Sequence, residues 1–193
     1  MALTLDQIER LYLKRGNEQY TGEPVTQLEH ALQTAALAER QGADDELVTA
    51  ALLHDLGHLL QDLGETPTAR GIDDLHQYRV LPFLRSLFSS TVLNAIAMHV
   101  DAKRYLCAAR PGYYDNLSDD SKRSLQLQGG IFVPTEANTF IARVGAPQAV
   151  KLRIWDDLAK TKGLATPDLT HFMKRARRCA LGVSPGPTTD AQH

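Results

Sequence analysis

One apolar run turns ionic without ending: Ala50-Ala51-Leu52-Leu53-His54-Asp55-Leu56-Gly57-His58. No other stretch limits the possible folds of this chain so strongly, because a charge buried in such a run is costly unless a partner or a metal compensates it. On a helix, His54 and His58 lie four apart on one face, with Asp55 beside the first. Neutral imidazole and carboxylate are the donors that a borderline or hard divalent ion takes, and one carboxylate can bridge two ions. A lone histidine here would read as a satisfied core residue. The His-Asp pair favours a metal, provided further ligands stand elsewhere in the chain.

The flanking sequence supplies elements that can carry them. Leu5, Ile8, Leu11, Tyr12 and Arg15 have helical spacing, and Gly16 stops that helix. A turn-rich link from Asn17 to Pro24 follows. Thr26 and Glu29 have capping-box spacing and open a helix that ends near Gly42, with His30 just inside it. Asp44 or Asp45 caps the helix carrying the His-Asp motif, expected to fade at Gly64, and a loop runs from Glu65 to Gly71. Asp73 or Asp74 starts a helix holding His76, kinked or divided at Pro82. Ser89 or Ser90 caps another, on which His99 and Lys103 share a face. Beyond Gly112 the pattern gives helices over about 118–128, 134–144 and 148–162, and a last one opened by Thr166-Pro167 and reaching about Leu181. The expected architecture is an all-α, single-domain helical bundle over residues 1–183, with a disordered tail over 184–193.

Composition narrows the function classes. With 193 residues the chain can bury a real core, and a net charge of −2 gives no general attraction to nucleic acid or anionic membrane. Cys107 and Cys179 form neither a disulfide framework nor a zinc spacing, so a reducing cytoplasm is the expected compartment. No apolar run is long enough to span a membrane.

Five of the seven histidines (His30, His54, His58, His76 and His99) fall within the first hundred residues, and four of them lie on four successive expected helices. Helical bundles build metal centres by sending one ligand inward from each helix. The series His30, His54-Asp55, His76, His99 and Asp156 offers six ligand groups: too many for one ion, and enough for two that share Asp55. His171 is expected at the surface and His193 in the tail.

That ordered series resembles the HD-domain superfamily in its dinuclear form. Further stretches sharpen the likeness: Gln19-Tyr20-Thr21-Gly22-Glu23, Gln27-Leu28-Glu29-His30, His99-Val100-Asp101-Ala102-Lys103-Arg104-Tyr105-Leu106, Gln128-Gly129-Gly130 and Leu152-Arg153-Ile154-Trp155-Asp156-Asp157. Together they resemble, over roughly residues 10 to 160, the mixed-valent diiron oxygenases that break C–P bonds in 2-amino-1-hydroxyethylphosphonate-type substrates. The resemblance implies two iron ions as an Fe(II)/Fe(III) pair, one held by His30, His54 and Asp156, the other by His76 and His99, with Asp55 bridging. It implies an organophosphonate and O2 as substrates, with phosphate and a carboxylate released. It also implies that Tyr20 guards the open iron position and that Glu23 holds the substrate's cationic nitrogen.

Spacing alone points to binding groups for such a substrate. Lys103, one turn after His99, and Arg153, three before Asp156, are cations beside ligands and suit phosphonate oxygens. His58 lies one turn after His54, and Ser121 and Gln128 can add neutral hydrogen bonds. Leu59, Leu60 and an aromatic-free Glu65-to-Gly71 loop leave room rather than polar groups. That leans toward a trimethylammonium substrate, giving glycine betaine, over a primary amine, giving glycine. A metal-dependent phosphohydrolase is the alternative function, and a non-catalytic ligand sensor a third.

Overall fold

Capping side chains set where five of the helices begin. In the computed structural model, which describes residues 2–20, 22–61 and 67–182, Thr4 caps α1 (Leu5–Arg15) and Thr26 caps α2 (Gln27–Arg40). Both caps are reciprocal boxes; at the second, the Glu29 carboxylate accepts from Thr26 N–H at 2.8 Å. Asp44 caps α3 (Asp45–Leu53), Ser118 caps α8 (Asp119–Leu127) and Asp168 caps α11 (Leu169–Arg178). Between them run α4 (Leu56–Leu59), α5 (His76–Arg79), α6 (Leu81–Leu84), α7 (Ser90–Ala109), α9 (Pro134–Ile141) and α10 (Ala146–Leu158). No strand occurs among the described residues, and none of their helices is long and apolar enough to cross a membrane.

The main core is built by α1, α2, α3, α7, α10 and α11 around Ile8, Leu52, Leu53, Ile96, Trp155 and Phe172, all 2 % exposed or less. Burying such side chains contributes roughly 1.5–3 kcal/mol each relative to exposure, so this core is the rigid frame on which the ionic groups are mounted. Tyr12 donates to Leu52 O at 2.6 Å and Arg15 to Leu59 O at 2.6 Å, tying α1 to both sides of the His-Asp motif.

Several boundaries differ from the sequence expectation. The motif helix is not continuous: α3 ends at Leu53, Asp55 takes φ −103°, ψ 9°, and a short α4 follows. Adjacent residues on a straight helix point about 100° apart, so the break is what lets His54 and Asp55 face one point. The chain around His76 divides at Val80, and Pro82 sits in the first turn of α6, where its missing N–H costs nothing. α9 stops at Ile141 because the chain turns through Gly145, φ 90°. α10 stops at Leu158, short of Lys162: Ala159 O accepts from His30 Nδ1 at 2.9 Å, and Thr161 exchanges two hydrogen bonds with Gln33. The last helix starts after Asp168 rather than at Thr166-Pro167 and ends at Arg178. The expected fade at Gly64, the first part of the Glu65–Gly71 loop, Thr21 and the tail with His193 lie outside the described residues.

Candidate metal centre and substrate cleft

Five helical segments bring the six expected ligands to one place. His30 comes from α2, His54 and Asp55 from the break after α3, His76 from α5, His99 from α7 and Asp156 from α10. Exposure falls between 0 and 7 % for all of them. Their donor atoms form two groups, His30–His54–Asp156 and Asp55–His76–His99. Asp55 joins the two: its Oδ2 lies 3.5 Å from His30 Nε2 and 3.3 Å from His54 Nε2, while its Oδ1 lies 3.2 Å from His76 Nε2 and 3.5 Å from His99 Nε2.

The hydrogen bonds of the rings fit metal ligation. His30 Nδ1 is bound to Ala159 O, His54 Nδ1 to Ala51 O at 2.8 Å, His99 Nδ1 to Ile96 O at 2.7 Å and His76 Nδ1 to Asp74 Oδ1 at 2.7 Å. Each Nδ1–H donates outward, so each Nε2 presents its lone pair inward, the tautomer that a ligand needs. The Nε2 atoms of His30 and His54 stand 3.2 Å apart, and those of His76 and His99 3.1 Å apart. Asp55 Oδ1 and Asp156 Oδ1 are buried with no hydrogen-bond partner. Converging lone pairs and orphaned carboxylate oxygens are costly alone, and a cation at each group satisfies them.

The electrostatics point the same way. Burial pushes the Asp55 carboxyl up, but the charges of His54 and His58 outweigh it and hold the group well below the carboxylate range. Asp156 is likewise held low, against burial, chiefly by Arg153. Burial disfavours a charged His30, yet the carboxylates of Asp156 and Asp55 beside its Nε2 raise it to about 9. His76 rises to about 10, against burial, through Asp74 and Asp55. His99 moves oppositely, lowered by burial to about 4. Two ionised carboxylates thus draw positive charge into a closed space, and metal ions supply that charge without protons.

A cleft enclosing about 690 Å³, including its open mouth, leads to this centre. All the remaining candidates reach it: Tyr20, Glu23, His58, Lys103, Ser121, Gln128 and Arg153. Tyr20 stacks on His30 with ring centres 4.1 Å apart; burial and then Asp55 push its phenol well above its usual value, keeping it neutral. Its loop is braced by Tyr20 N–H to Val25 O and Glu23 N–H to Tyr20 O, both 3.0 Å. Lys103 is 2 % exposed and donates to Ser124 Oγ at 2.7 Å; burial, then Arg153, lowers its ammonium to about 7. Arg153 turns Nη1 to Asp156 at 2.9 Å and Nε and Nη2 to Asp157, which fixes its guanidinium at the edge of the cleft. Gln128 Oε1 is buried without a partner, on a turn held to α7 by Arg104 bonding to Gly129 O and Gly130 O.

Spacing did not reveal four further residues of the site. Asp74 clamps two rings at once, 2.7 Å from His76 Nδ1 and 2.7 Å from His58 Nδ1; its place two before His76 was the available signal. Ser124 holds Lys103, and Asp157 holds Arg153. Lys160 meets Glu23 at 2.8 Å. Leu59 and Leu60, expected to leave room beside the substrate's nitrogen, pack on the core and are not among the residues lining the cleft. His171 is at the surface, paired with Glu39 at 2.9 Å.

Comparison with known proteins identifies the family. The HD domain family matches residues 28–128. The chain is 38 % identical over 168 residues to [1-hydroxy-2-(trimethylamino)ethyl]phosphonate dioxygenase (glycine-betaine-forming) of Leisingera caerulea, covering 87 % of this chain and 86 % of that one. It is 42 % identical over 163 residues to hydroxymethylphosphonate dioxygenase of Gimesia maris, covering 84 % and 81 %. With the family matched over residues 28–128 and both relatives matched over most of their length, the chain belongs to the HD-domain family, in the group that includes these phosphonate dioxygenases.

Proposed function

We propose that the chain catalyses O2-dependent cleavage of the C–P bond of a 1-hydroxy-2-ammonioethylphosphonate. The trimethylated compound, giving glycine betaine and phosphate, is the first reading; the primary amine, giving glycine and phosphate, is the second. In either case R–CH(OH)–PO3H2 and O2 become R–COOH and H3PO4, a four-electron oxidation that uses both oxygen atoms. The observation that carries the reading is Asp55 set between two histidine groups at the floor of a cleft walled by Lys103 and Arg153. The names of the two relatives support the reaction class.

His30, His54 and Asp156 would hold one iron and His76 and His99 the other, with Asp55 shared by both. When bound, a mixed Fe(II)/Fe(III) pair would supply O2 activation, with the dioxygen itself taking up the four electrons of the oxidation. The chain's own residues do the rest. Lys103, as an ammonium, binds the phosphonate, and the guanidinium of Arg153 adds directional bonds to its oxygens. Ser121 and Gln128 hydrogen-bond the same end of the substrate. His58, oriented by Asp74 and 3.8 Å from Asp55, holds or moves the proton of the substrate hydroxyl. Tyr20 covers the His30 side and keeps water out until substrate enters, and Glu23 faces the substrate's nitrogen. The free thiols of Cys107 and Cys179 support a cytoplasmic setting, and the partners invoked are the organophosphonate and O2.

Oxygen consumption and phosphate release by the iron-loaded protein test the reading. Equimolar O2 uptake and phosphate release are expected. Phosphate release without O2 would make the protein a hydrolase instead.

A further inference from the structure

The carboxylate that faces the substrate's nitrogen already has a cation on it. Lys160 Nζ lies 2.8 Å from Glu23 Oε1 and 3.5 Å from Ser121 Oγ, and the side chains of Lys160 and Glu23 are only 15 % and 9 % exposed. All three residues line the cleft. Lys160 is not a loose surface lysine. The residue before it, Ala159, accepts from His30 Nδ1 at 2.9 Å; the residue after it, Thr161, donates its N–H to Gln33 Oε1 at 3.0 Å and accepts from Gln33 Nε2 at 2.7 Å. Bonds to α2 on both sides therefore fix the backbone from which the ammonium projects.

The charges around it leave Glu23 as its counterion. Asp156 and Asp157 are taken by Arg153, and Asp120 by Thr68 and Arg123. A substrate ammonium that is to reach Glu23 must displace the ammonium of Lys160 or share the carboxylate with it. A phosphonate without nitrogen meets no such competitor. The two relatives differ in this respect: the name of one carries a trimethylamino group, and that of the other, hydroxymethylphosphonate, carries no nitrogen. Overall identity does not choose between them.

We propose that Lys160 is a specificity-determining residue that competes with the substrate's cationic nitrogen for Glu23, and so sets the discrimination between nitrogen-bearing and nitrogen-free 1-hydroxyphosphonates. The proposal rests on the reaction class given above.

The test compares the iron-loaded protein with Lys160→Met, Lys160→Arg, Glu23→Gln and the double variant Lys160→Met/Glu23→Gln. For each, kcat/KM is measured with 1-hydroxy-2-(trimethylammonio)ethylphosphonate and with hydroxymethylphosphonate, and anaerobic calorimetry gives the two dissociation constants. Lys160→Met is expected to raise the preference for the cationic over the nitrogen-free substrate by about tenfold or more, because a part-buried like charge is removed and a carboxylate is freed. Lys160→Arg keeps the original preference, and Lys160→Met gives no gain in the Glu23→Gln background. A preference unchanged by Lys160→Met, or a gain that persists without Glu23, overturns the proposal. Equal weakening of both substrates also overturns it, since Lys160 would then be a phosphonate ligand. Should both phosphonates bind without O2-dependent turnover, the reaction class fails while the calorimetric ratio still decides on Lys160; binding of neither overturns both.

Discussion

Gly57 lies so close to the backbone of His76 that a Cβ on it would stand 2.3 Å from the His76 carbonyl oxygen. The short helix after the His-Asp break thus presses directly on the segment that delivers another ligand. Gly57→Ala must push α5 away and carry the His76 ring with it. We predict that this variant keeps its helical content but loses affinity for one of two metals by about tenfold or more, as disturbed ligand support does elsewhere. Metal titration followed by circular dichroism checks it; unchanged metal affinity would mean that α5 moves without its ring.

Asp74 holds His76 and His58 through separate oxygens, so its removal frees two rings together. Asp74→Asn is expected to weaken metal binding about 10- to 100-fold at the His76–His99 side, leaving the His30–His54–Asp156 group loaded. Metal content after dialysis against a weak chelator reads this directly, and equal loss from both groups would contradict it.

Lys103 sits buried with its ammonium lowered to about 7, so below that pH it is charged and above it largely neutral. An anionic phosphonate binds the charged form. The dissociation constant should therefore rise with pH above about 7, by up to about tenfold per unit, relative to Lys103→Met. Calorimetry across pH 6 to 9 on both proteins isolates the lysine from the substrate's own titration; parallel profiles would remove Lys103 from phosphonate binding.

Most of this centre was legible in the sequence because its chemistry is concentrated. His30, His54, Asp55, His76, His99 and Asp156 are polar residues in apolar helical contexts, and only a shared purpose explains their burial. The capping box at Thr26 and the N-cap at Asp44 were legible for a similar reason, being local and directional. What escaped was set by tertiary contact. The break after Leu53 comes from the need to aim His54 and Asp55 together, and the end of α10 from hydrogen bonds to His30 and Gln33, far away in sequence. Asp74 and Lys160 look like ordinary surface charges until the fold sets them against His58, His76 and Glu23.

A second charge cluster, away from the centre, contributes to acid stability. Arg178 grips Asp45 through Nε at 2.6 Å and Nη2 at 2.9 Å, and Arg175 joins Asp45 at 2.6 Å and also pairs with Glu39, fastening α11 to α2 and α3. Arg178 lowers the Asp45 carboxyl; His171 and Arg175 lower that of Glu39 against partial burial. A depressed folded value means stability that is present above the unfolded value near 4 and is lost as pH falls through the folded one. Asp45→Asn should cost about 1 kcal/mol at pH 7 and less at pH 3. Urea unfolding at both pH values checks it, and a cost independent of pH would contradict it.

The account turns on one carboxylate serving two ions. Iron content per chain after anaerobic reconstitution and removal of loose metal tests that most directly, with Asp55→Ala measured alongside. Two irons per chain, falling to one or none in the variant, is the result predicted. Saturation at a single iron in the unaltered protein would contradict it.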